Sequence, residues 1–254
     1  MLNLKLTVCY EGTSYLGWQE TSMGPSIEGA LKQAIQTLLQ HEVELQAASR
    51  TDAGVHARAQ IVNFLTEKSL CLEKFQYSLN GLLPKQIAVT RVEKMPLDFH
   101  PTLDSLAKEY EYQICTHPIQ LPFERYTSWH FPYPLDLASM TFAARCLEGK
   151  HDFSTFCNEL SLWDRTPLCH LEKIEVNAIP GRGVKFLFVG DHFLYRMARN
   201  LAGTLAYVGC GKIQAEEIPA ILESKDRTRA GMTAPALGLM LTRVVYPNAP
   251  YAFS

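Results

Sequence analysis

Residues 49–57 read SRTDAGVHA and place Asp52 between two segments of β-like composition, 43–47 and 59–65 (AQIVNFL). The stretch itself is poor helix and poor strand material. Gly54 permits a backbone turn, and Thr51 and Asp52 favour turns by bonding nearby backbone groups. The sequence therefore predicts a tight loop joining two strands, with one carboxylate two positions after Arg50 and four before His56. Loops held by rigid strands are where chemistry is commonly carried. The same composition also describes a plain turn whose carboxylate satisfies only its own backbone.

Working outward, Leu2–Tyr10 alternates apolar and polar residues, with Leu2, Leu4, Leu6 and Val8 on one face of a strand. A loop rich in Gly and aromatic residues follows (YEGTSYLGWQE). Ser26 then caps a helix whose apolar positions Ile27, Ala30, Leu31, Ala34, Ile35, Leu38 and Leu39 keep helical spacing. A second helix over Leu72–Leu82 stops before Pro84, and 87–92 resumes as strand. The order β-α-β-β-α-β describes helices packed on an antiparallel sheet.

The boundary to a second half falls between Met95 and Ala107. Beyond it, Ala107–Cys115 (AKEYEYQIC) alternates as a strand, Pro118, Pro122, Pro132 and Pro134 punctuate an irregular segment, and 137–147 reads as helix. Strands at 172–178 and 184–189 form a hairpin around PGRG, helices follow at 193–208 and 215–222, and 238–246 closes as a strand. The expected fold class is α+β: two sheet-plus-helix halves, RRM-like or ferredoxin-like, with largely antiparallel sheets meeting at a central cleft. The domains are expected at 1–104, carrying the Asp52 loop, and 105–254, carrying the tyrosine strand and an arginine-bearing helix.

On that helix, Leu194, Met197, Ala198, Leu201, Leu205 and Val208 form one apolar stripe, which puts Arg196, Arg199 and Asn200 on the opposite face. Such a face is ordinarily solvated, but an arginine there can also pair with a buried carboxylate and hold it ionised. Tyr110 and Tyr112 share one strand face, where tyrosines commonly serve cross-strand packing.

SRTDAGVHA resembles the Arg-Thr-Asp-Ala-Gly-Val-His motif of the tRNA pseudouridine synthases of the TruA type. FLYRMARNLAGTL resembles that family's Met-x-Arg-Asn-x-x-Gly helix, AKEYEYQI its tyrosine strand, and YEGTSYLGWQ, SIEGALKQAI, LDFH, GKHDFSTF and TAPALGLML further blocks in the same order. The resemblance spans nearly the whole chain. It implies that Asp52 is catalytic, that Arg199 supports it, that Tyr110 stacks on the target uracil and that Arg50 contacts the flipped nucleotide or its phosphate. Arg196 lies outside the match and is left to surface or RNA contact. The implied reaction is isomerisation of uridine to pseudouridine at positions 38–40 of the tRNA anticodon arm, by a homodimer. An isomerisation needs no cofactor, and none is expected. Whether the carboxylate adds to the ribose or removes its C2′ proton is not written in the sequence.

Three features depart from the family. Ser49 stands where Gly is usual, and Pro101, Thr102 and Leu103 replace Ala-Arg-Phe, removing an arginine able to touch RNA. Residues 158–167 (NELSLWDRTP) align with no family segment.

Composition sets outer bounds. The chain has 254 residues, 47% hydrophobic and 20% charged, which is ordinary for a globular protein. Net charge is −2, so RNA contact must come from a local basic surface and not from an overall basic chain. Seven scattered cysteines form no disulfide framework, and Cys157, Cys169, His151 and His170 lack metal-ligand spacing, so no metal is expected. PGRGVKF is a hairpin turn without the strand-loop-helix context of a phosphate loop. The N-terminus lacks a signal-peptide pattern, and no window approaches the ~18 apolar residues of a membrane span; the expected location is cytoplasmic. A rival reading is a non-catalytic tRNA-binding or tRNA-folding protein on the same scaffold, and another is a synthase for a different uridine.

Overall fold

The computed structural model describes residues 1–158 and 166–247, in two compact units. Unit 1 begins at Met1 and runs to Leu106, and the chain rejoins it at Leu241; unit 2 is Ala107–Met240. The sequence reading kept 105–254 together, whereas the closing strand straddles the two units.

In unit 1 the order is β1 (Leu2–Tyr10), α1 (Ile27–Leu39), β2 (Gln46–Ala47), β3 (His56–Thr66), α2 (Leu72–Leu82) and β4 (Ile87–Met95). The strands β4, β1 and β3 lie side by side and antiparallel, with β2 on β3. Alternation explains the layering. Leu4, Leu6 and Val8 stand opposite Phe64, Val62 and Gln60 in register, and all six are buried. Phe64 meets Phe75 of α2 with ring centroids 6.2 Å apart, so this face carries the helices. Ser26 caps α1 by accepting from the Gly29 N–H at 3.1 Å. Buried Leu31, Ile35 and Leu39 contribute roughly 1.5–3 kcal/mol each.

On the other face two buried amides hold the connector after β4. Asn3 Nδ2 donates to the Pro96 and Phe99 carbonyls, each at 3.0 Å. Asn63 Nδ2 donates to Asn3 Oδ1 at 2.9 Å and to the Phe99 carbonyl at 3.1 Å. The residues that depart from the family follow directly. Thr102 Oγ1 donates to the Ala47 carbonyl at 2.8 Å, and the Tyr246 hydroxyl donates to the Pro101 carbonyl at 2.7 Å. Thr102 thus fastens the connector to β2.

Unit 2 contains β5 (Ala107–Cys115), β6 (Trp129–His130), α3 (Leu137–Cys146), β7 (Gly149–Asp152), β8 (Leu168–Ile179), β9 (Gly183–Gly190), α4 (Met197–Gly209) and α5 (Ile218–Glu223). Its strands run in the order β5-β9-β8-β7, antiparallel, with β6 parallel to β5. The final strand β10 is Leu239–Val245. The class is α+β with largely antiparallel pairing, as the alternation predicts. Helix α3 packs on β8 and on α4. Residues 159–165, which include most of the unaligned NELSLWDRTP, lie outside the described residues.

Asn3→Ala removes the donor of two buried carbonyls and the acceptor of Asn63. Stability should fall by about 2–3 kcal/mol, read as a lower urea midpoint at unchanged m-value.

Candidate active site

The loop after β2 is held by backbone and buried side chains on both sides of Asp52. The Tyr10 hydroxyl lies 2.8 Å from Thr51 Oγ1, buried. Gln60, fully buried, donates from Nε2 to the Ser49 carbonyl at 2.6 Å and accepts the Ser49 N–H on Oε1 at 3.2 Å. Both contacts use the Ser49 backbone, so a Ser in place of the family's Gly leaves this clamp unaltered. Val55 N–H closes the turn on the Asp52 carbonyl at 3.1 Å. Asp52 itself is half-buried and Arg50 exposed.

The aromatic, Gly-rich loop of residues 11–21 forms the other wall. Trp18 N–H donates to the Thr51 carbonyl at 3.0 Å, and Gly54 N–H to the Tyr15 carbonyl at 3.3 Å. Two of its glycines touch the Asp52 loop backbone. A Cβ on Gly12 would stand 2.0 Å from the Val55 oxygen, and one on Gly17, where φ is +100°, 2.7 Å from the Thr51 oxygen. The same loop starts α1, because Ile27 and Glu28 donate their N–H groups to the Gly17 and Trp18 carbonyls at 3.1 and 2.9 Å. His56 accepts the Gly12 N–H on Nδ1 at 3.0 Å, which leaves its proton on Nε2. The approach of Glu11 Oε1 to that same nitrogen, 3.8 Å, is therefore not an ion pair in this tautomer.

In unit 2 the two tyrosines separate clearly. Tyr112 is fully buried and its hydroxyl donates to the Pro235 carbonyl at 2.8 Å. Burial pushes its phenol far above the usual range, with the Arg199 charge acting in the opposite sense. Tyr110 stacks edge-on against Phe193, centroids 4.9 Å apart, and is 5% exposed.

Arg199 is half-buried. Its Nε donates to the Ala234 carbonyl at 2.8 Å, and its own carbonyl accepts the Ala234 N–H at 3.1 Å. This side of the helix is not solvated at Asn200, which is fully buried. Its Nδ2 donates to the Phe156 carbonyl at 2.7 Å, and its Oδ1 accepts from Arg227 at 2.8 Å and from Thr233 at 2.7 Å. Small residues admit the segment that covers this face, since a Cβ on Gly203 would meet the Met232 oxygen at 1.8 Å. The helix also starts later than its apolar stripe, because Arg196 takes the left-handed conformation (φ 60°) at the N-cap. Arg196 is half-buried, with its guanidinium 4.8 Å over the Tyr195 ring.

Asp52 and Arg50 belong to unit 1, Tyr110 and Arg199 to unit 2. The sequence reading missed the residues that hold them: Tyr10, Gln60, Asn200, Arg227 and Thr233. Their signal is weak, for only the glycines of YEGTSYLGWQ and the Asn after Arg199 mark close packing. Among the described residues the cysteines form no disulfide, and no group of three His, Cys, Asp or Glu side chains could hold a metal. No described helix is long and apolar enough to cross a membrane.

The sequence profile described as tRNA pseudouridine synthase matches this chain at residues 7–104 and 143–247. The chain belongs to the tRNA pseudouridine synthase family. Asp52, Arg50 and Arg199 fall inside the matched stretches, while Tyr110 lies between them. Among relatives, tRNA pseudouridine synthase A 2 of Protochlamydia amoebophila is 50% identical over 248 residues, covering 97% of this chain and 95% of its own. The tRNA pseudouridine synthases A of Myxococcus xanthus (40%, 99% of this chain, 95% of that one) and Acetivibrio thermocellus (39%, 97% and 100%) are similar over their full lengths.

Gly12→Ala pushes a methyl into the Val55 carbonyl and must displace the Asp52 loop. The expected result is a fall in single-turnover rate of at least roughly tenfold. Gly81→Ala, at a helix position with nothing within 4 Å of the added Cβ, should instead raise stability by about 0.5–1 kcal/mol with the rate intact.

Proposed function

We propose that this protein isomerises uridine to pseudouridine in tRNA, with Asp52 as the catalytic group. The observation that carries the reading is the clamp on the loop of the RTDAGVH motif. Main-chain hydrogen bonds, two glycine contacts and the buried Tyr10 and Gln60 fix the backbone of a half-buried carboxylate. A plain turn needs no such support from a second loop.

The chemistry asks for one ionised, well-aimed carboxylate. The bond from N1 to the ribose C1′ breaks, the uracil turns, C5 bonds to C1′, C5 loses its hydrogen and N1 gains a proton. Asp52 acts on the sugar, as nucleophile at C1′ or as base at C2′. Arg199, whose Nε donates to the Ala234 carbonyl, supports the ionised form of the catalytic carboxylate. Tyr110 supplies a flat surface for the flipped base. Arg50 grips the nucleotide or its phosphate, for which its forked donors suit. The substrate uridines are those at positions 38–40 of the anticodon arm, and the working form is a cytoplasmic homodimer. Pairing two copies lets a chain of net charge −2 assemble a basic cleft from local cations.

Tritium release from a tRNA transcript labelled at uridine C5 tests this directly, because C5 loses its hydrogen as it bonds to the sugar. Wild type should release tritium, and Asp52→Asn should bind the tRNA yet release at least roughly 10²-fold more slowly. Binding without release by wild type would identify a tRNA-binding protein instead. Arg199→Ala should cost on the order of 10²-fold in single-turnover rate, with tRNA affinity changed far less.

A further inference from the structure

A break in strand pairing beside the Asp52 loop sets one arginine apart. Between β1 and β3 the register passes from Val8 opposite Gln60 to Tyr10 opposite Ala57, so Cys9 faces two residues, Arg58 and Ala59. A bulge of this kind re-aims a side chain, and bulges are common beside active sites. Here Ala57 and Gln60 stay buried on the helix-bearing face while Arg58 is exposed. Its charge is felt at the Cys9 thiol, where it opposes the rise that burial causes. Arg58 therefore stands on Cys9's face of the sheet, away from the helices.

That face is built to be approached. Around Arg58 it presents Thr7, Cys9 and Ala59, all half-buried, and Ala88, exposed and paired with Cys9. These are short side chains, so an extended ligand can lie close to the strands. Arg50 and Arg58 make no hydrogen bond or ion pair among the described residues, whereas Arg91 of the same unit is paired with Glu93 at 3.0 Å. The carboxylate at this edge, Glu11, is turned onto the Thr13 N–H at 2.9 Å. A free guanidinium over a flat surface of small side chains, at the loop end of the strand, suits a phosphodiester.

We propose that Arg58 is a substrate-binding residue that grips a backbone phosphate of the RNA whose uridine reaches Asp52. It offsets the family arginine absent at Thr102, a position this chain uses to fasten its connector instead. The inference rests on the proposed activity for the identity of the RNA, but its test reads binding. A phosphate contact releases counterions, so its loss flattens the salt dependence of affinity.

Affinity for an unmodified tRNA transcript is measured by filter binding across a range of NaCl concentrations, for wild type, Arg58→Ala and Arg58→Lys. For Arg58→Ala, the slope of log K against log salt should shrink by about 0.7–0.9 and KM for tRNA should rise roughly fivefold. Arg58→Lys should restore most of the slope, since a lysine keeps the point charge. A slope equal to that of wild type in Arg58→Ala overturns the proposal, as does an equal loss in Arg58→Lys, which would mark the bulge geometry as the cause. Absence of tritium release by wild type, with the slope change present, would refute the proposed activity and leave this phosphate contact standing.

Discussion

The Asp52 loop depends on one contact between backbones. Gly12 lies so close to the Val55 carbonyl that any side chain would occupy the carbonyl's place. Around it the two loops satisfy each other's polar groups: Trp18 N–H meets the Thr51 carbonyl, and Gly54 N–H meets the Tyr15 carbonyl. Buried backbone groups must find partners, and two irregular loops do so here without strands between them. The position of Asp52 is thereby set by main chain on both sides. Such a support resists displacement better than side-chain contacts, which retain rotamer freedom.

The same device recurs in unit 2 with different residues. Gly203 of α4 admits the Met232 carbonyl, and a Cβ on Gly231 would stand 2.6 Å from Thr204 Cα. This approach turns what looks like a polar helix face into an interior. Asn200 then satisfies four neighbours at once, with Arg227 and Thr233 on its oxygen and Phe156 and Asn158 on its nitrogen. Burial draws the Arg227 guanidinium below its usual value, yet its charge-assisted bond to Asn200 keeps the amide in one orientation. Arg199 sits one residue before that locked amide and takes its fixity from the same segment, through Ala234.

These two arrangements show why sequence reading reached some features and missed others. Alternation in Leu2–Tyr10 and helical spacing in Ile27–Leu39 are local, and both elements form within the expected bounds. Strands Trp129–His130 and Gly149–Asp152 carry too few residues to show a period, and they exist because neighbouring backbones pair with them. Residues 193–196 share the apolar stripe of α4 but lie outside it, because the left-handed Arg196 interrupts the backbone. The burial of Asn200 depends on residues 27 to 44 positions away, which no window of sequence contains. The Asp52 loop was legible as a turn between two strands. Tyr10 and Gln60, which hold its loop, look like ordinary strand residues until the register places them beside it.

A net charge of −2 bears on how such a protein meets RNA. An overall basic chain would bind any phosphate backbone, and its affinity would come from diffuse attraction. Here the whole chain offers no such attraction, and two cations of unit 1 are already engaged by one carboxylate: Arg91 by Glu93 at 3.0 Å, and Lys5 by the same residue at 2.9 Å. Arg50 and Arg58, which make no hydrogen bond or ion pair among the described residues, bracket the Asp52 loop in sequence. With the roles proposed for these arginines and for Asp52, selection would fall to RNAs whose shape brings a phosphate to the first and a uridine to the second together.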